Sequence, residues 1–324
     1  MKDLLVREYG IHTTGKESIG MVEGLKNNEY VYVTIPVKNK EIMYMEQAAL
    51  SYYLYENGYV QTACPIPNLS GDWFTNDDDQ NYIVVKLSRN LSTNERSHGQ
   101  RMANFHQLGA HYRYEPRYLS SYGQWYSLWI DKLEWFEYKL TEQTKQTPHP
   151  YHQLFTDMLP YMIGISENAI QYIRESEQER RYHEGDRGTI AFRRYTNHLI
   201  EPVIWFNDLV YDHPARDLAE FIRNRFLHVD EGEEEIALFL EDYQTEMPIS
   251  VFGWRQIYAR LIFPIHLFDV LESGFVTGDY DEQYERLMNM LAKQEMYEKR
   301  LGRVFEIFAI DHDALHIPVL HWLN

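Results

Sequence analysis

The chain has 324 residues, of which 44% are hydrophobic, enough to form a full core in one large domain or two lobes. Its formal net charge of -18 repels nucleic acid and anionic membranes, so we expect neither as a partner. The single cysteine excludes a disulfide framework within the chain, and no apolar run could span a bilayer, so we expect a cytoplasmic protein at synthesis. Aromatic residues reach 15%, which is typical of packed surfaces or protein-binding faces, including those of a homo-oligomer.

The first 90 residues predict a small lobe made mainly of β-strands with one helix. The β-branched run at residues 31–37 predicts a strand, and residues 41–59 place apolar side chains at helical spacing up to Gly58. A proline-rich turn and a short strand follow, and residues 81–87 predict the last strand of the lobe. We therefore assign residues 1–90 to an N-terminal lobe.

Residues 91–324 predict a larger, mainly helical lobe. Apolar side chains recur at three- and four-residue steps in the next segment, which indicates a helix that packs this face into the core. They are Trp125, Leu128, Trp129, Leu133, Phe136 and Leu140. A short apolar run at residues 203–206, VIWF, predicts a strand in the middle of this lobe. A turn and another helical start follow it, and the remaining residues predict helices.

Several motifs resemble those of known kinases that act on small molecules. Residues 212–223, DHPARDLAEFIR, are similar to the segment after the metal-binding strand in the aminoglycoside phosphotransferase and choline kinase superfamily. Residues 239–268 resemble the C-terminal helical region of the CotS-type spore coat proteins within that superfamily. The resemblance covers nearly the whole chain. It implies an α+β, bilobal protein-kinase-like fold, a location in the spore coat, and other spore coat proteins as partners.

The resemblance also implies where a phosphate-binding lysine and its helix partner should lie. Phosphoryl transfer in kinases uses a lysine on the third strand, held by a glutamate of the following helix. Glu46 has the position of that glutamate, as a vestige of nucleotide binding. The strand has Val33 or Thr34 at the lysine position, while Lys38 and Lys40 follow it in a predicted loop. We therefore expect the lysine to be missing.

The catalytic loop and the metal strand are altered as well. The resemblance implies that Asp186 is the vestigial catalytic base, and that Asp217 keeps a structural role in holding the catalytic loop. The asparagine expected five residues after Asp186 is Ala191, and the metal-binding aspartate, counted back from Pro214, is Trp205. A methyl group and an indole offer no oxygen to magnesium, which prefers oxygen ligands. We therefore predict no metal site.

Three functions are compatible with these sequence features. The first is a catalytically inactive kinase-like protein of the endospore coat that acts by protein–protein interaction and needs no cofactor. The second is a divergent phosphotransferase that uses ATP and magnesium on a small hydroxylated or amino compound, with Asp186 as base and Asp208 or Asp212 as metal ligand. The third is a nucleotide or sugar sensor that binds its ligand without turnover.

Overall fold

The computed structural model describes residues 1–20, 22–37, 42–77, 80–89, 95–143, 149–179 and 181–321. Contacts between Cα atoms divide the chain into two compact units, each made of two separate stretches. The first unit comprises Met1–Ser120 and Gly188–Asp212, and the second comprises Ser121–Arg187 and His213–Asn324. Because these units are discontinuous in sequence, they do not test the lobe boundary predicted between residues 90 and 91, which stays a prediction.

The first unit contains an antiparallel sheet in the spatial order β1-β2-β3-β6-β4, and β5 also pairs with β6. Its strands are β1 (Gly15–Ile19), β2 (Val22–Lys26), β3 (Tyr30–Val37), β4 (Cys64–Ile66), β5 (Thr75–Asp77) and β6 (Gln80–Ser88). The long pair β3 and β6 runs in register from Tyr30 opposite Ser88 to Val37 opposite Asn81. The strands predicted at residues 31–37 and 81–87 are therefore confirmed.

The first unit also contains three helices in its longer stretch, Met1–Ser120. They are α1 (Lys2–Tyr9), α2 (Ile42–Glu56) and α3 (His98–Ala110). The predicted helix after β3 is confirmed as α2. Helix α1 was not predicted, because eight residues are too few for a clear period. It is stabilised by tertiary packing, since Leu4 and Leu5 are buried in a cluster with Tyr32 and Val84 of the sheet.

The first unit also contains a two-stranded antiparallel sheet. It pairs β7 (Thr189–Phe192) with β8 (Leu209–Asp212), with Thr189 opposite Asp212. The strand predicted at residues 203–206 is wrong, because Ile204 makes only an isolated bridge to Thr62 and a 3₁₀ turn follows at Phe206–Asp208. Helix α3 packs closely on β7. A Cβ atom at Gly109 would lie 2.3 Å from Thr189 Oγ1 and 2.5 Å from the backbone nitrogen of Ile190, so glycine is required there.

The second unit is helical in the part of the chain that the structure describes. Its helices are α4 (Trp125–Gln143), α5 (Pro150–Gln178), α6 (Ala215–His228), α7 (Gly232–Glu246), α8 (Val251–Ile262), α9 (Ile265–Thr277), α10 (Tyr280–Gly302) and α11 (Val304–Ile307). Of the stripe predicted on α4, Trp125, Trp129, Leu133 and Phe136 are buried, and Trp129 stacks on Phe263 with ring centroids 4.4 Å apart. The expected burial of Leu128 is wrong, because this residue lies at the edge of the stripe and is exposed, and Leu140 is partly buried. In the described ranges, no helix is both long and apolar enough to cross a membrane.

A buried ionic cluster ties α6 to α8 within the second unit. The Glu220 carboxylate accepts hydrogen bonds from Arg223 at 2.8 Å and from Arg260 at 2.9 Å. Arg223 also donates to the backbone oxygens of Arg260 and Phe263 at the end of α8. All three charged side chains are buried, so each depends on the others to compensate for lost hydration.

Candidate functional site

Asp186, the predicted base, lies at the end of a 3₁₀ turn, Glu184–Asp186, in the second unit. Its side chain is only 5% exposed. The single hydroxyl proton of Ser250 is shared between the two carboxylate oxygens, which lie 2.7 and 2.8 Å from Ser250 Oγ, and the backbone N–H of His183 donates to Oδ2 at 2.6 Å. His213 Nε2 lies 3.3 Å from Oδ1. The carboxylate therefore joins the 3₁₀ turn, the start of α6 and the start of α8.

These contacts also determine the charge of the carboxylate. Burial by itself would raise the pKa of Asp186, but hydrogen bonding and charge from His213, with the hydrogen bonds from Ser250 and His183, hold that pKa below its usual value. The Asp186 side chain is therefore a charged carboxylate in the folded chain at neutral pH. Ser250 is also the N-cap of α8 and accepts from the backbone N–H of Gly253 at 2.8 Å. Asp186 thus fixes the serine that starts this helix.

The space around Asp186 is small. The cavity that it lines, together with Pro248 and Tyr243, holds about 10 Å³, which is at the limit for one water molecule. A larger pocket of about 400 Å³ lies nearby in the same unit. It is lined mainly by aromatic side chains and one carboxyl group, Glu177, whose pKa burial raises. Asp186 is not among the residues that line this larger pocket.

Glu46, the predicted partner of the missing lysine, lies on α2 in the first unit. Its carboxylate accepts three backbone N–H groups, from Arg117 at 2.7 Å, Tyr118 at 2.8 Å and Leu119 at 3.0 Å. Its observed contacts therefore anchor the chain after α3. The role of Glu46 as a vestigial nucleotide residue stays a prediction.

The lysines of the sheet are engaged by other side chains in the described part of the first unit. Lys16 pairs with Glu23, and Lys26 pairs with Glu17 across the β1–β2 hairpin. The ammonium of Lys86 on β6 lies over three tyrosine rings, with centroid distances of 5.3, 5.8 and 5.9 Å. Such cation–π contacts stabilise the lysine ammonium in this position. Lys38 and Lys40 lie outside the described residues.

Trp205, predicted to occupy the metal position, packs against a hydrophobic cluster on one face of the sheet. Val203 and Phe206 belong to this cluster, and so does Val33, one of the two positions predicted for the absent lysine. The segment is held in place by its backbone, because Ala63 N–H donates to the Ile204 oxygen at 2.8 Å. Residues 203–206 thus form a sheet-covering segment.

The strand that pairs with β7 is β8, and it follows residues 203–206, which the sequence predicted to be the metal-binding strand. Because β8 ends at Asp212, this aspartate is at the carboxyl end of the strand that pairs with β7. Asp212 is fully buried. The pattern LVYD after the apolar run was the signal that could have identified it. Ala191 is buried in β7 opposite Val210. The predictions that Ala191 and Trp205 stand at metal positions remain untested.

Two further acidic residues belong to different environments. Asp217 is buried in the first turn of α6, where a negative charge is favoured by the helix N-terminus, and its predicted structural role stays a prediction. Asp208 is partly exposed, and its carboxylate lies 3.8 Å from His198 Nε2. Among the described residues, no group of three or more histidine, cysteine or acidic side chains is arranged to hold a metal ion.

The donors that surround Asp186 could not be identified from the sequence. Ser250 lies in the motif at residues 239–268 and His213 in the motif at residues 212–223, and neither motif points to Asp186. Their spacing from Asp186, 64 and 27 residues, carries no local signal. A serine three residues before Gly253 at a predicted helix start was the one local indication of an N-cap.

Comparisons with known proteins extend over nearly the whole chain. Residues 2–304 match the model of a family described as "Spore coat putative kinase YutH". The chain is 30% identical over 337 aligned positions to the endospore coat-associated protein YutH of Bacillus subtilis strain 168, covering 100% of this chain and 98% of the relative.

Solved structures show the same fold at low sequence identity. An aminoglycoside phosphotransferase from Alicyclobacillus acidocaldarius aligns with a TM-score of 0.62 and 14% identity, over 95% of this chain and 96% of that one. A microcompartment-associated aminopropanol kinase aligns with a TM-score of 0.54 and 11% identity, over 93% and 96%. The predicted kinase-like α+β fold is confirmed. The chain belongs to the YutH family of spore coat proteins with an aminoglycoside phosphotransferase-like fold.

Proposed function

We propose that this protein is a catalytically inactive member of its family, which associates with the endospore coat and acts by binding other coat proteins. The observation that carries the proposal is the state of Asp186. A catalytic base must reach the hydroxyl proton of its substrate, within about 2.6–3.2 Å. Both oxygens of Asp186 already accept hydrogen bonds from within the second unit, and the carboxylate is buried beside a cavity of about 10 Å³.

The sheet supports the same proposal. In kinases a glycine-rich hairpin covers the nucleotide phosphates, and a strand lysine neutralises them. Ile19 and Val22, on either side of the β1–β2 turn, instead pack on the cluster that contains Val203 and Phe206. A Cβ at Gly20 in that turn would lie 3.9 Å from the side chain of Pro202. The sheet-covering segment therefore makes apolar contacts with the β1–β2 hairpin, which in kinases covers the phosphates of the nucleotide.

ATP and magnesium do not fit the described residues in the way this fold uses them. The lysine partner of Glu46 is absent from β3, and the Glu46 oxygens are taken by backbone N–H groups. Val33 is buried in the apolar cluster, where a lysine ammonium would have no solvation. We therefore propose that no cofactor is required.

Nucleotide binding and turnover test the inactive state directly. Purified chain is incubated with magnesium and γ-labelled ATP and a panel of amino and hydroxyl compounds, and its melting temperature is measured with and without magnesium ATP. We expect no label transfer and no ligand-induced stabilisation. Label transfer that disappears in Asp186→Asn but persists in Asp131→Asn, a change at an exposed aspartate of α4, would overturn the proposal.

Association with the coat is tested separately. A fluorescent fusion of the chain is expressed in a sporulating Bacillus host, and its position is followed during sporulation. We expect a ring at the forespore surface, and the same ring for a fusion carrying Asp186→Asn. A diffuse signal throughout the mother cell would contradict the coat assignment. Sedimentation of the purified chain tests whether a homo-oligomer forms as well.

One observation favours the second candidate, a divergent ATP-dependent phosphotransferase that acts on a small hydroxylated or amino compound. Asp212 stands at the carboxyl end of β8, and a buried carboxylate at a strand end is a common place for a magnesium ligand. This candidate predicts stabilisation by magnesium ATP that Asp212→Asn abolishes. A sensor without turnover predicts the same stabilisation with no label transfer.

A further inference from the structure

A groove runs between helices α4 and α5 on the surface of the second unit. Its volume is about 620 Å³. The apolar residues that line it are Tyr126, Ile130 and Leu133 of α4 and Ile163 and Ile170 of α5. All except Leu133 are partly exposed, although α4 and α5 bury other faces in the core. The groove is therefore an apolar strip that the described chain leaves accessible.

The edges of this groove are acidic. Glu134 and Glu137 line it on α4, Glu167 and Glu175 line it on α5, and the basic lining residue is Arg174. All four glutamates are exposed. Within the described ranges, Glu134, Glu137 and Glu167 form no ion pair, and Glu175 accepts a hydrogen bond from Gln171. Like charges at neighbouring positions of a helix are unfavourable, so a cationic occupant would relieve this repulsion.

We propose that this groove binds a lysine- or arginine-rich amphipathic helix of another protein, an inference that rests on the proposed function as an interaction protein. Helices dock in grooves through apolar side chains at positions i, i+3 or i+4, and i+7. The floor residues Ile163 and Ile170 are seven positions apart, about 10 Å along the helix axis, which matches those two turns. The glutamates on both edges would face the basic flanks of such a helix.

Charge also decides between possible occupants. A second copy of this chain carries a net charge of -18 and would bring more negative charge to an acidic groove. A small polycation would satisfy the glutamates but would leave Ile130, Ile163 and Ile170 in water. A basic amphipathic helix satisfies the apolar floor and the acidic edges together.

The test uses the full chain and a fluorescent synthetic peptide of about 18 residues, long enough to form a helix. The peptide carries leucines at i, i+4 and i+7, with lysines on the remaining face, and a scrambled peptide has the same composition. We expect saturable binding by anisotropy at low salt, with weaker binding of the scrambled peptide. Added salt should weaken both, since it screens exposed charges.

Two pairs of substitutions separate the groove from general acidity. The double variant E134K/E137K should bind the peptide about tenfold more weakly. The matched variant E282K/E285K reverses two exposed glutamates with the same spacing on α10 and should change the affinity by less than about twofold. Ile163→Ala should also weaken the amphipathic peptide and leave the scrambled one unaffected. Circular dichroism checks that each variant is folded.

The results of the peptide-binding test can be told apart from those of the ATP test of the proposed function. An equal loss of peptide affinity in E134K/E137K and E282K/E285K would overturn the proposal that the groove binds a helix. So would equal affinity for the scrambled and the amphipathic peptide. Self-association of the native chain that E134K/E137K abolishes would identify a second copy as the occupant and would also overturn it. Label transfer from ATP, by contrast, would refute the inactive state without changing the peptide result.

Discussion

Replacing Asp186 by asparagine removes a charge that is surrounded by hydrogen-bond donors, so we expect the folded chain to lose stability. Asparagine keeps one acceptor oxygen and turns the other into an NH₂ group, which would face Ser250 or the backbone N–H of His183. A hydrogen bond to a charged group contributes about 1.5–3 kcal/mol. Losing one such bond and weakening the rest should cost about 2–3 kcal/mol.

This loss should be measurable by calorimetry. An unfolding entropy of about 2.1 cal/mol/K per residue gives about 0.7 kcal/mol/K for a chain of 324 residues, so the melting temperature should fall by about 3–4 °C. The control is Asp131→Asn, which changes an exposed aspartate on α4 and should cost no more than about 0.5 kcal/mol. Both variants are compared with the native chain at neutral pH.

The pH dependence adds a second check. Because the pKa of Asp186 is lower in the folded chain than in the unfolded chain, its contribution is present at neutral pH and is lost as the pH falls through the folded value. The difference between native and Asp186→Asn proteins should therefore narrow in acid. A melting temperature of Asp186→Asn equal to or above that of the native chain would refute the structural role, because residues kept for activity often reduce stability.

Three other substitutions test the packing. Gly109→Ala should leave the chain insoluble or protease-sensitive, since a Cβ there would lie 2.3 Å from Thr189 Oγ1, and a soluble, resistant variant would contradict that packing. Glu220→Gln should cost about 3–5 kcal/mol in urea unfolding, because both of its arginine partners are buried, and a loss below about 1 kcal/mol would mean that they find other acceptors. Burial, together with the charge of a nearby arginine, lowers the pKa of His266 to about 4, below the value of about 6.5 in unfolded chains. Its contribution to stability is therefore complete above pH ~6.5 and falls as the pH drops toward 4. Calorimetry at neutral and mildly acidic pH should show a smaller decline for His266→Gln, and equal declines would contradict the assignment.

The sequence predicted the elements whose period is long and regular. Strands β3 and β6 and helix α2 follow from β-branched runs and apolar spacing, and the buried stripe of α4 follows from Trp125 to Phe136. Helix α1 could not be predicted in this way, because eight residues acquire their stability from the sheet on which Leu4 and Leu5 pack. Its existence depends on a tertiary contact that has no local pattern.

The candidate site was less predictable because its parts are distant in sequence. The run at residues 203–206 is as apolar as a buried strand, yet it serves as a cover for the sheet, since periodicity alone does not distinguish the two. Counting back from Pro214 then aligned Trp205 with a metal position, while the paired strand β8 ends at Asp212. The partners of Asp186 likewise come from two helix starts that only the fold brings together.

The discontinuity of the two units limits how the molecule can be dissected. The backbone passes from one unit to the other after Ser120, after Arg187 and after Asp212. A polypeptide ending at Ser120 would lack Val203 and Phe206, which complete the cluster on the sheet, and would expose that apolar face to water. No single cleavage of the polypeptide can therefore release either unit intact.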